Sequence, residues 1–135
     1  MTLRTTLSSA LLLGLLSSPA FACGDEAALY SGDYDQCMNQ AASTASMLNC
    51  IAAEHARQDK LLNDNYQRLM AQLSAKRKSR LLAAQRLWLQ YRDANCQAYV
   101  DPDGGSSEAI VGADCALRAT AERAAELAKM QPENH

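Results

Sequence analysis

The side chains in this sequence that are best suited to chemistry are a histidine and two acidic residues on one predicted helix. Glu54 and His55 are adjacent, and Asp59 follows His55 by one helical turn. Such a set could hold a metal ion or transfer a proton. However, no third ligand is evident, and a lone helical histidine beside charges is typical of a protein surface. We therefore expect no metal site here.

Other catalytic patterns have less support. Glu122, Arg123 and Glu126 are spaced like an ordinary exposed helix face with paired charges. No serine has a histidine and an acid in a nucleophilic arrangement, and no glycine-rich phosphate loop follows a strand. The sequence therefore predicts a protein that is not an enzyme and has no cofactor.

The amino terminus, residues 1–22, predicts export. Arg4 gives a positive start, Leu11 to Leu16 form an apolar stretch too short to span a bilayer, and Ala20-Phe21-Ala22 fits a cleavage site. Cleavage after Ala22 leaves Cys23 first, which predicts a periplasmic or secreted protein. Acylation of Cys23 is the alternative, and only then would the chain be held at a membrane.

Five cysteines are present, and an oxidising compartment favours their pairing. The spacing favours pairing of Cys37 with Cys50 and of Cys96 with Cys115, since each pair would close a short loop. Cys23 would then have no partner. The spacing does not fix this connectivity, and Cys50 with Cys96 is an alternative.

The chain pattern predicts an all-α fold, a three-helix up-down-up bundle with one disulfide-stapled end. After an irregular acidic lead (23–43), which could include one helical turn around Cys37, we expect a helical domain over 44–130 and a frayed tail (131–135). The first helix should span Thr44 to Leu73, and Ser74 to Arg80 should form the tip between helices. A second helix then runs to Tyr99. After the turn Asp101–Ser107, a third helix runs to Met130.

One face of the second predicted helix carries both apolar and polar residues, and we expect the bundle to pack around it. Gln85, Trp88 and Arg92 share this face with Leu81, so the polar members need partners if they are buried. Asp59 and Asn63 on the first helix are the expected partners. We interpret these five residues (Asp59, Asn63, Gln85, Trp88 and Arg92) as a structural clamp.

Charge is distributed unevenly although the net charge is only −2. The predicted tip is basic, a candidate surface for anions: Lys76, Arg77, Lys78 and Arg80. The lead, which carries two tyrosines, and the turn after the second helix are acidic, a candidate surface for a cationic protein: Tyr30, Asp33, Tyr34, Asp35, Asp101 and Asp103.

Several separated motifs resemble the LprI-type lysozyme-inhibitor domain family, over about Cys37 to Leu127. They are Asp59-x-x-Leu62-Asn63-x-x-Tyr66-x-x-Leu69, Gln85-Arg86-x-Trp88-Leu89-x-Tyr91-Arg92-Asp93-x-x-Cys96, Gly104-Gly105-Ser106, Cys115, and Thr120-x-x-Arg123-x-x-Glu126-Leu127. The resemblance implies a small secreted or envelope-anchored helical domain that binds and inhibits lysozyme. The alternative is a non-catalytic envelope module that binds an anionic cell-wall polymer or a partner protein. Neither hypothesis involves nucleic acid.

Overall fold

Four helices make up the part of the chain that the structure, a computed structural model, describes (residues 28–131). They are α1 (Gly32–Gln40), α2 (Thr44–Gln72), α3 (Ala75–Tyr99) and α4 (Ser107–Lys129). The all-α prediction is therefore confirmed for these residues, with one helix more than expected. The predicted signal sequence, Cys23 and residues 132–135 lie outside the described range. Within that range, no helix combines the length and apolarity needed to cross a bilayer.

The lead contains a helix of nine residues, so the prediction of an irregular lead with at most one turn is wrong for residues 32–40. Ser31 caps α1 by accepting a hydrogen bond from the Tyr34 backbone N–H. Asp33 and Asp35 lie in the first turn, where the positive end of the helix dipole stabilises carboxylates. Both stabilising features are encoded locally in the sequence.

The bounds of α2 agree closely with the prediction because its start is strongly encoded. The Ser43 hydroxyl accepts from the Ser46 backbone N–H, and the Ser46 side chain accepts from the Ser43 backbone N–H, which completes a capping box. From there the helix continues without glycine or proline to Gln72. Apolar residues at helical spacing along α2 form its buried side at Ile51, Leu62 and Leu69, which Leu73 continues, while Tyr66 is half-buried.

The predicted tip is wrong, because α3 already begins at Ala75. Only Leu73 and Ser74 separate α2 from α3, and both have extended backbone angles. Alanine, lysine and arginine are good helix formers, so nothing in residues 75–80 interrupts the helix. The four basic residues of the predicted tip therefore lie in the first two turns of α3.

Helix α4 is the centre of the packing. It runs parallel to α2, as shown by the contacts His55–Thr120 and Asn65–Ala124. It runs antiparallel to α3, since Cys96 bonds to Cys115 and Gln85 to Arg123. Close backbone packing is most extensive between α2 and α4, less so between α3 and α4, and α1 rests on α2.

The core lies mainly between α2 and α4. Its side chains are aliphatic, and Leu69, Leu117 and Leu127 are completely shielded from solvent. Helix α3 contributes little to this core, because only Leu81, Gln85 and Cys96 of its 25 residues are buried. Trp88 is half-buried and packs against the core cluster from α3.

Two disulfides hold one half of the molecule, which we call the stapled half. Cys37 bonds to Cys50 and Cys96 to Cys115, with Cα separations of 5.7 and 5.5 Å. These are the pairings that the spacing favoured over Cys50 with Cys96. Because α2 and α4 run in parallel, and because Cys50 and Cys115 precede the contacting residues His55 and Thr120 by equal steps, the two disulfides lie at the same level of the bundle.

The end of α4 is better ordered than the predicted tail. Gln131 is half-buried, and its side-chain amide donates to the backbone carbonyls of Asn65 and Leu127. The prediction of fraying from Gln131 is therefore wrong at this residue.

Candidate functional site

Two guanidinium groups lie over the indole ring of Trp88. The Arg92 and Arg123 Cζ atoms lie 5.3 and 5.9 Å from the Trp88 ring centroid, within the range of a cation–π interaction. Arg123 is only 9% exposed, and it donates to Gln85 at 3.0 Å and to Glu126 at 2.6 Å. A buried glutamine and a buried arginine therefore satisfy each other across the α3–α4 interface.

Arg92 belongs to a second hydrogen-bond network, which joins three helices. Its guanidinium donates to Asp93 at 2.8 and 2.9 Å and to the Thr120 hydroxyl at 3.3 Å. Thr120, which is completely buried, also lies 3.1 Å from His55 Nε2 and donates to the Ala116 carbonyl. This network links α2, α4 and α3 through one hydroxyl group.

The predicted partners of this face, Asp59 and Asn63, are elsewhere. The Asn63 amide donates to the Asp59 carboxylate and backbone carbonyl on the exposed side of α2. The predicted pairing of Asp59 or Asn63 with Arg92 or Gln85 is therefore wrong. Two residues at i and i+4 satisfy each other locally, whereas Thr120 and Arg123 on α4 supply the cross-helix contacts.

His55 is half-buried, in contrast to the prediction of a surface histidine. Burial and the nearby Arg92 charge lower the pKa of His55, while Asp59 opposes this shift. The lowered pKa favours the neutral imidazole ring, which can form a hydrogen bond with the Thr120 hydroxyl. Among residues 28–131, no three His, Cys, Asp or Glu side chains lie together as metal ligands would.

A buried carboxylate connects α1 to α2. Glu54 is 2% exposed and accepts from the Ser31 N–H at 3.0 Å, the Ser31 hydroxyl at 2.6 Å and the Gln58 amide at 2.7 Å. Burial alone would raise the pKa of Glu54, but these hydrogen bonds and the Arg57 charge lower it overall. Sequence reasoning missed this contact, because Ser31 and Glu54 are distant in the chain.

The tyrosines of the lead form a pair above α4. The Tyr30 and Tyr34 rings meet edge to face with centroids 5.0 Å apart, and both are half-buried. Burial, followed by the nearby Asp114 carboxylate, raises the pKa of both phenols. The pair therefore stays neutral at physiological pH and borders a charged stretch of α4.

The candidate acidic residues lie in the stapled half or at its end. Asp33 forms an ion pair with Arg57 at 2.9 Å, whereas Asp35 and Asp103 form none among the residues that the structure describes. The Asp101 carboxylate accepts from the Asp103 N–H, which stabilises the turn, and Gly105 supplies the positive φ that the turn needs. Exposed carboxylates thus occur on two separate segments.

A groove of about 660 Å³ opens between α3 and α4, and we call it the α3–α4 groove. The α3 wall carries Tyr91, Asn95 and Tyr99, and the two tyrosines are 65% and 64% exposed. The α4 side is lined by Ile110, Val111, Asp114, Cys115, Arg118, Ala119 and Glu122. The sequence analysis did not predict this site. The available signal was the spacing of Tyr91 and Tyr99, about two helical turns apart on one predicted helix.

The four basic residues Lys76, Arg77, Lys78 and Arg80 lie at the opposite end from the disulfides. None of them forms an ion pair in the described part of the chain. Arg77 and Arg80 line a shallow depression of about 340 Å³ together with Arg123 and Glu126. This end is therefore cationic and open to solvent.

The fold and the contacts around α4 define a small helical domain. In it, α4 is joined to its neighbours by a disulfide and by buried polar contacts. The family model for the lysozyme inhibitor LprI matches residues 37–127, which contain α2, α3 and most of α4. The chain belongs to this family, so the resemblance seen in the sequence motifs is confirmed. No curated protein and no solved structure matches the chain.

Proposed function

We propose that this protein is exported to the cell envelope, where it binds and inhibits lysozyme. The family match over residues 37–127 is the observation that carries the proposal. The two disulfides are typical of a protein that works in an oxidising compartment. The proposal includes a signal sequence over residues 1–22 and an up-down-up frame of the three long helices α2, α3 and α4.

The acidic residues of the stapled half support a cationic partner. Lysozyme is a cationic enzyme that cleaves glycosidic bonds with two carboxylates. Asp35 and Asp103 are exposed and outside any ion pair among the described residues, so their charge is available for long-range attraction. Electrostatic complementarity of this kind increases association rates and is weakened by salt. The tyrosines beside them are residues that protein interfaces favour.

Association kinetics with a c-type lysozyme test this proposal directly. A variant with Asp33, Asp35, Asp101 and Asp103 changed to Asn should associate about tenfold more slowly at low salt. The difference should shrink at moderate salt, because ions screen exposed charges over about 10 Å. Lysozyme should be immobilised without any cell wall, so that only direct contact between the two proteins is measured.

A matched pair of variants separates position from net charge. Asp35→Asn/Asp103→Asn removes two charges from the proposed surface, and Asp59→Asn/Asp64→Asn removes two exposed carboxylates from the outer side of α2. Only the first pair should slow association. Equal rates for both pairs and the parent would contradict the acidic surface, and no binding by the parent would contradict the function.

The second candidate function is binding of an anionic envelope polymer through Lys76, Arg77, Lys78 and Arg80. The observation that favours it is the concentration of these cations in the first two turns of α3, without an ion-pair partner in the described chain. Their exposed charge is unfavourable at a helix N-terminus, and an anionic ligand would relieve this repulsion. Changing all four residues to Ser should abolish sedimentation of the protein with isolated cell walls, and unchanged sedimentation would contradict this candidate.

A further inference from the structure

We propose that the α3–α4 groove binds a short oligosaccharide. This site borders the acidic surface proposed for lysozyme, since Tyr30 lies near Asp114 and Arg118 of the groove, but it rests on the geometry of the groove rather than on the proposed function. Three features carry it: exposed aromatic rings, polar groups along both walls, and a covalently fixed floor.

The aromatic residues are placed as two platforms on one wall. Tyr91 and Tyr99 are eight residues apart on α3, which separates them by about 12 Å along the helix axis. Both are about two-thirds exposed, although a tyrosine ring gains from burial of its apolar face. A sugar ring also has an apolar face of C–H groups, so two rings at this spacing suit a ligand several sugar units long.

The polar groups of the groove match the hydroxyl and amide groups of such a ligand. Asn95 lies between the two tyrosines and can both donate and accept. On the α4 wall, Asp114, Arg118 and Glu122 follow one another at steps of one helical turn, so acceptors alternate with a donor. Arg118 and Asp114 form a long ion pair of 3.7 Å, and the Arg118 side chain stays exposed. Every sugar hydroxyl is both a donor and an acceptor, and it can use this alternation.

The groove is rigid where the ligand would lie. Cys115 forms part of its lining, and the disulfide to Cys96 fixes α3 against α4 at this level. Ala119 lies one turn further along α4 and leaves the groove open, because its side chain is small. A site that is already formed loses less conformational entropy on binding than one that must be ordered.

Titration of the oxidised, isotopically labelled protein with chitotetraose tests the proposal by NMR, with cellotetraose as a second probe. Saturable shifts of the Tyr91, Asn95, Tyr99 and Arg118 signals are expected for at least one tetrasaccharide. Tyr91→Ala or Tyr99→Ala should each weaken binding about three- to tenfold, as the loss of one aromatic contact does. Leu87→Ala is the matched control, because Leu87 is 66% exposed on the same helix but does not line the groove.

All three side chains that these variants change are exposed, so the melting temperature should stay close to that of the parent. No saturable shift with either sugar would overturn the proposal. Shifts confined to other parts of the molecule, or a double variant at Tyr91 and Tyr99 that binds like the parent, would also overturn it. Because no lysozyme is present, the result is independent of whether the protein inhibits that enzyme.

Discussion

The two sides of α4 are held by different forces. Toward α2, α4 buries aliphatic side chains such as Ala124 and Leu127 against Leu62 and Leu69. Toward α3, the contacts are a disulfide, the Gln85–Arg123 hydrogen bond and the stacking of Trp88 with cations. The α2–α4 interface therefore specifies the fold by apolar burial. The α3–α4 interface needs less apolar area, which leaves the exposed side of α3 free to carry a binding site.

The largest effect should come from the aliphatic interface. Leu127→Ala removes a completely buried side chain and should lower the free energy of unfolding by about 4 kcal/mol, measured by urea denaturation. Leu87→Ala, on the exposed side of α3, should change it by less than about 0.5 kcal/mol. Similar losses for the two variants would contradict the division between the interfaces.

Trp88 packs against the core cluster from α3, beside the buried Leu81, so its loss should be next in size. Trp88→Ala should cost about 3 kcal/mol, the lower end of the range for aromatic truncations, because the ring is only half-buried. The same urea experiment measures this change. A variant that unfolds like the parent would show that the indole is dispensable for the α3 contact.

The disulfide between α3 and α4 should matter most for α3 itself. Cys96→Ser/Cys115→Ser should lower stability by about 2–3 kcal/mol, since it opens a loop with a sequence separation of 19 residues. Hydrogen exchange should accelerate selectively in the carboxyl-terminal half of α3 while the centre of α2 stays protected. Cys37→Ser/Cys50→Ser is the control and should instead release α1. Uniform acceleration in both variants would argue against separate interfaces.

Acid should weaken the polar contacts in two steps, with the smallest effect on stability. The folded-state pKa of His55 lies below its ordinary value of 6.5, and that of Glu54 lies below 4.5. Each group therefore contributes stability that is complete above its ordinary pKa and is lost as the pH falls through the lower folded-state pKa. Melting temperature should fall first below about pH 6.5 and again below about pH 4.5.

Variants can assign the two steps. His55→Gln should remove the step below about pH 6.5. Glu54→Gln should remove the step below about pH 4.5. It should also reduce the protection of the Ser31 backbone N–H from hydrogen exchange, because that N–H donates to the Glu54 carboxylate. A pH profile identical to that of the parent in either variant would contradict the assignment of that step.

Much of the fold could be predicted from the sequence because it is encoded locally. The Ser43 cap, the apolar spacing from Ile51 to Leu73 and the loop around Gly104-Gly105 fix where α2 and α4 begin. The cysteine spacing favoured the two observed pairs, since short loops are the simplest to close. The two-residue link at Leu73 and Ser74 was missed because the sequence has no strong breaker there.

The polar contacts could not be predicted, because they depend on which side chains tertiary packing buries. Asp59 and Asn63 looked like suitable partners for Arg92 by spacing, yet they satisfy each other, while Thr120 contacts Arg92. The helical spacing of Arg123 predicts an exposed residue, because charged residues are seldom buried, but Arg123 is buried and paired with Gln85 and Glu126. The α3–α4 groove likewise exists only once the antiparallel pairing of the two helices is known.

The initial rate of cell-wall lysis by a c-type lysozyme, with and without the oxidised protein, tests the proposed function most directly. We expect dose-dependent inhibition that weakens from low to moderate salt and that also appears with a soluble oligosaccharide substrate in excess over the inhibitor. Unchanged lysis and unchanged cleavage of the soluble substrate, by a protein that melts cooperatively, would contradict it.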